Sequence, residues 1–82
     1  MSGRAKLHQQ YTDWRDGNGA ETVFRLSRKP FEGSLLVFSG TILQRPNELG
    51  VVHDYAFDGD TTVTFTIAPG VGDDVCFFYA SV

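Results

Sequence analysis

The chain is short of the residues that staple or arm small domains. Its 82 positions hold one cysteine, Cys76, so an internal disulfide is excluded, and a zinc finger or redox pair built on cysteines goes with it. Two histidines, His8 and His53, leave little material for acid–base chemistry near neutral pH. No run approaches the roughly 18 consecutive apolar residues of a membrane span. The opening MSGRAKLHQQ has two basic residues with no apolar stretch behind them, which is not the pattern of a secretory signal. What remains is an ordinary balance: 41% hydrophobic, 21% charged, nine glycines and a net charge of −3. That is the composition of a folded domain, and the length allows one.

The charge is unevenly spread. Residues 1–30 carry Arg4, Lys6, Arg15, Arg25, Arg28 and Lys29 against Asp13, Asp16 and Glu21, while residues 31–82 carry Arg45 alone against seven acids. A basic front of dispersed charges on an acidic molecule is a poor match for phosphate, so nucleic acid is not the expected partner. A solvated surface with complementary ends, able to meet between neighbouring copies, fits better.

Residues 1–13 show no apolar period of 2 or 3.6. They read as an N-terminal arm, with Leu7 and Tyr11 as its apolar anchors. The domain, residues 14–82, begins where Asp16-Gly17-Asn18-Gly19 gives a dense turn signal. Short strand-like runs follow. In Thr22–Ser27, Phe24 and Leu26 share a face. Ser34–Phe38 is rich in strand formers, and Ser39-Gly40 reads as a two-residue hairpin into Thr41–Gln44. Asp54–Phe57 leads to the Asp58-Gly59 turn. Thr61–Ile67 alternates strictly, which places Val63, Phe65 and Ile67 inward and the threonines outward. Val75–Tyr79 closes the chain. No helix of two turns is convincing. The expected fold is all-β, a small antiparallel sandwich or barrel of five to seven short strands with an extended N-terminal arm.

Two strands are apolar on both faces. Leu35 and Val37 lie on one face of their strand, Leu36 and Phe38 on the other; Val75, Phe77 and Tyr79 oppose Cys76 and Phe78. A single small sandwich has one core, so the second face should meet something. One alternative is a closed barrel in which loops and the arm cover it. The candidate interface is therefore Leu7, Tyr11, Trp14, Leu36, Phe38, Cys76 and Phe78.

Chemistry-bearing clusters read as structure. Asp58-Gly59-Asp60 and Asp73-Asp74 sit at turns and fit no calcium-loop spacing. His53 and Asp54 are neighbours on an extended chain, so their side chains point apart, and His53 is expected in a loop without a catalytic partner. Ser27, Ser34 and Ser39 lack a base to activate them, and Cys76 in an apolar strand is expected to be buried and inert. Trp14 and Tyr11 fall outside the strand pattern and are the aromatics available for stacking on a sugar. No catalytic, cofactor or metal residue is assigned.

The order of residues resembles a small β-module of tailed-bacteriophage virion proteins. The resemblance rests on Asp16-Gly17-Asn18-Gly19, Phe24-Arg25-Leu26, Pro30, Gly33–Phe38, Gly40, Gln44, Tyr55, Thr62–Phe65, Ala68-Pro69, Gly72-Asp73, Val75 and Tyr79, and covers residues 16–80. The chain departs from the module's pattern at Ser39, in the longer loop from Pro46 to His53, and at Cys76 and Phe78. The resemblance implies a non-enzymatic virion protein that binds other virion subunits. Beginning at Met1 and lacking the length of a fibre shaft, the chain points toward a capsid decoration, or cement, protein. A tail or neck appendage and a host-receptor (glycan) binding module are the alternatives. The expected assembly is a symmetric homo-oligomer, a trimer among the candidates, located in the virion.

Overall fold

The alternating runs form seven strands in a computed structural model, which describes residues 9–81. They are β1 (Gln9–Asp16), β2 (Val23–Arg25), β3 (Leu36–Ser39), β4 (Ile42–Leu43), β5 (Tyr55–Phe57), β6 (Thr62–Phe65) and β7 (Asp74–Ser81). One sheet has the order β1-β7-β3-β4 and the other β2-β6-β5, and every strand pairing is antiparallel. The described residues contain no helix, and the all-β sandwich expected from the sequence is the observed fold.

The core lies between the sheets. β7 supplies Val75, Phe77 and Tyr79, all fully buried, and β3 supplies Val37 directly opposite Phe77. The second sheet answers with Phe24, Tyr55, Val63 and Phe65, and Leu26 packs just beyond β2. Phe24 meets Phe65 edge-on at 5.4 Å between centroids, and Phe65 meets Phe77 at 6.5 Å, the tilted geometry that ring quadrupoles favour. At about 1.5–3 kcal/mol per buried side chain, these few residues supply most of the drive to fold.

The sheets are tied along both edges. At one, Arg15 Nη2 donates to the Arg25 carbonyl and Asp13 accepts from Ser27, joining β1 to the chain around β2. At the other, the chain leaving β4 crosses to β5, where the Asn47 N–H donates to the Tyr55 carbonyl and the Asp54 N–H to that of Arg45.

Three sequence expectations change. Residues 9–13, expected in the arm, are the first part of β1, and β1 pairs with β7 over eight positions from Gln9↔Ser81 to Asp16↔Asp74. Leu7 and the rest of residues 1–8 lie outside the described residues. Ile67, expected inward, is 81% exposed, because β6 ends at Phe65 and the chain bends before Pro69. The Ser39-Gly40 hairpin is shifted by one residue: Ser39 pairs with Ile42, and Gly40 takes the first corner at φ +63, the glycine position of a type II′ turn.

Candidate interaction surface

Alternation along the first sheet decides what its outer face presents. Inward Val75, Phe77 and Tyr79 leave Cys76 and Phe78 pointing away from the core, and the register sets Leu36 beside Phe78 and Phe38 beside Cys76. β1 adds Thr12 opposite Phe78 and Trp14 opposite Cys76, and β4 adds Leu43 opposite Phe38. The result is two adjoining rows across the sheet, Trp14–Cys76–Phe38–Leu43 and Thr12–Phe78–Leu36. Phe38 and Phe78 bridge the rows edge-on at 6.0 Å. Trp14, Leu43 and Leu36 are each about half exposed or more, at 60%, 54% and 49%, with Phe78 at 40%.

The outer face of the second sheet has the opposite character. Its rows are Val23–Thr64–Ala56 and Arg25–Thr62, the threonine-rich surface of a strand that faces water. One molecule thus has one wet sheet face and one apolar one. At one end the apolar face stops abruptly, where Asp16 and Asp74 stand directly opposite each other and both are exposed. Like charges facing across a ladder repel, so this pair costs stability in the isolated chain.

Five of the seven expected interface residues are therefore brought together: Trp14, Leu36, Phe38, Cys76 and Phe78. Cys76 lies on the expected face but is buried, at 4% exposure, in the shadow of the larger Trp14 and Phe38 on either side. Burial, with a smaller contribution from the Asp13 charge, pushes its thiol pKa up, so it stays protonated and unreactive. Tyr11 does not belong to the set. It pairs with Tyr79 on the inward face, packs against the core, and carries the Arg28 guanidinium 4.3 Å above its ring. Leu43 and Thr12 join the face without having been singled out in the sequence: for Leu43 the signal was the β3–β4 register, which the short run Thr41–Gln44 did not define, and for Thr12 it was the pairing of β1 with β7.

Beneath β1 lies a polar clasp that the sequence did not reveal. The Tyr79 hydroxyl donates to Asp13 Oδ2 at 2.6 Å, and the Ser27 N–H and hydroxyl donate to the same carboxylate at 2.9 and 2.8 Å. Burial alone would raise the Asp13 pKa, but these hydrogen bonds and the nearby Arg15 charge outweigh it and hold the carboxyl below its ordinary value. Burial and then the Asp13 carboxylate push the Tyr79 hydroxyl up. A carboxylate held as an anion by three donors is a weak base, so the arrangement fastens β1 and does not activate Ser27.

The other candidate groups are engaged in local structure. Asp58 Oδ1 accepts from the N–H groups of Asp60 and Thr62, and Asp73 Oδ2 accepts from that of Gly70, which is turn chemistry. Asp54 accepts from the Arg45 N–H, while His53 Nε2 lies 3.6 Å from Glu48, beyond hydrogen-bond length. Among the described residues no three His, Cys, Asp or Glu side chains converge as a metal site would require. Above the loop that follows β2, an open depression of about 880 Å³ is lined by Arg28, Lys29, Pro30, Phe57 and Ser81. It adjoins a smaller apolar pocket of about 270 Å³ between Pro30, Leu35, Pro46, Tyr55 and Phe57.

Compared with known proteins, the chain matches no family model, no curated protein and no solved structure.

Proposed function

We propose that this chain is a non-enzymatic structural protein of a tailed-bacteriophage virion, a capsid decoration protein that attaches to neighbouring head subunits through the outer face of its four-stranded sheet. The observation that carries the attachment surface is the juxtaposition of Trp14, Leu36, Phe38, Leu43 and Phe78 on one face, against a threonine-rich surface on the other sheet. Contiguous apolar faces of this kind are a solubility hazard unless a partner covers them. The virion context is supported by the resemblance in residue order over positions 16–80 and by the all-β fold that it implies. The mechanism is adhesion: apolar area is removed from water across the contact, and the bound state of both partners is stabilised by mass action.

The half-exposed Trp14 ring on a flat sheet supports a second reading, a glycan-binding module. Sedimentation of the purified chain with DNA-free heads of the phage that encodes it separates the two. The wild type is expected to sediment with heads, and Phe78→Asp to remain in the supernatant while still unfolding cooperatively, since Phe78 lies on the outer face of the sheet and not in the core. Binding to a glycan array that is lost in Trp14→Ala, with no head binding, would replace the first reading by the second.

A further inference from the structure

The loop between β4 and β5 holds a second interaction device, separate from the sheet face. Glu48 and Val51 exchange both backbone hydrogen bonds, at 3.0 and 2.8 Å, around the Leu49-Gly50 corner, and Gly50 takes φ +79 there. The base is fixed as well. Asn47 donates its N–H to the Tyr55 carbonyl and accepts the His53 N–H on Oδ1, while the Arg45 N–H donates to the Asp54 carboxylate. This braced loop carries Leu49 fully exposed, with Val52 at 72% and Val51 half exposed. A leucine held out in water by a hydrogen-bonded loop has already lost its backbone freedom, which is the preorganised state of a binding anchor.

A receptor for it lies at the root of the same loop. The apolar pocket of about 270 Å³ includes Pro46 and Tyr55 in its walls, and the wider depression next to it carries Arg28 and Lys29. The neighbour of the knob in sequence is Glu48, whose side chain is 62% exposed. The knob is thus flanked by one acid, and the depression beside the pocket carries two basic side chains, Arg28 and Lys29, against one acidic, Glu32. From Pro46 to Leu49 is three residues, about 10 Å of extended chain. A knob and a pocket this close along the chain can be exchanged between two copies about a two-fold axis passing between them. Leu49 is fully exposed and takes no part in the lining of the pocket at its own loop base, which leaves that pocket open to the leucine of a second copy.

We propose that the chain forms a two-fold dimer in which Leu49 of each copy fills the pocket between Pro30, Leu35, Pro46, Tyr55 and Phe57 of the other, with Glu48 facing Arg28 and Lys29. Each contact is made twice, as a two-fold arrangement requires. The arrangement is a pair, not the trimer considered from sequence, and it leaves the apolar sheet face free.

Analytical ultracentrifugation of the full chain tests it. The wild type is expected to be dimeric at micromolar concentration, and Leu49→Asp to raise the dissociation constant at least about thirtyfold, as loss of a central anchor does, while still unfolding cooperatively as a monomer. Glu48→Lys should weaken the dimer several-fold, and adding Lys29→Glu should restore it. A chain that stays monomeric at about 1 mM overturns the proposal. So does a dimer that survives Leu49→Asp but is abolished by Phe78→Asp, since the sheet face would then be the self-contact. Head binding is measured separately, so failure of the dimer leaves the attachment reading standing, and the reverse.

Discussion

The side chain that most clearly joins the two ends of the sequence is Asp13. Its carboxylate takes hydrogen bonds from Tyr79, 66 positions away, and from Ser27. Because its folded pKa lies below the ordinary 3.8, its contribution is complete above that value and is lost as pH falls through the depressed one. Asp13→Asn keeps the shape and an acceptor for the Tyr79 hydroxyl but removes the charge. It should cost about 1–3 kcal/mol at neutral pH and flatten the acid limb of a stability curve below about pH 4, read by urea melts at stepped pH. An unchanged acid limb would remove the clasp from the account. The glycines of the 16–19 turn show how one signal can conceal two causes. Gly19 has φ +79, the conformation the sequence reading credits, but a Cβ on Gly17 would stand 2.3 Å from the Gly70 carbonyl oxygen. Close approach between two loops is a tertiary fact, and no local pattern announces it.

At the scale of elements, alternation was the legible signal. Phe24, Leu26, Val37, Val63, Phe65, Val75, Phe77 and Tyr79 face the core as their spacing indicates. It failed where neighbours, not periodicity, define the strand. The inward positions of β1 are Tyr11, Asp13 and Arg15 and the outward ones Thr12 and Trp14, so each side mixes one aromatic with polar residues, and only pairing with β7 makes it a strand. Inward-pointing charges on an edge strand discourage pairing with foreign strands, which is why the least strand-like sequence sits at the margin of the sheet. Ile67 failed for the reverse reason: periodicity continued after the ladder had ended. The facing of β6 can be checked directly. Phe65→Ala should cost about 3–5 kcal/mol and Thr64→Ala under about 1 kcal/mol, measured by thermal or urea unfolding. Equal losses at the two positions would mean that the strand is turned the other way.

For the whole molecule, the informative feature is asymmetry between two outer faces built from the same kind of ladder. The apolar face was legible in part, because Leu36, Phe38, Cys76 and Phe78 are the leftover positions of two-faced strands. That they form one patch required the β3–β7 register, which sequence spacing does not fix. Tyr11 and Trp14 were grouped by lying outside any recognised strand; the pleat of β1 sends them to opposite faces. The facing acids Asp16 and Asp74 lie at the end of this patch, so the partner surface should bring positive charge there, giving attachment that weakens as salt rises. Cryo-electron microscopy of phage heads saturated with the chain would show the attachment surface itself. Trp14, Leu36, Phe38 and Phe78 are expected in contact with a head subunit and the Thr62–Thr64 face in solvent. Heads carrying the chain with that apolar face turned to solvent would contradict this placement.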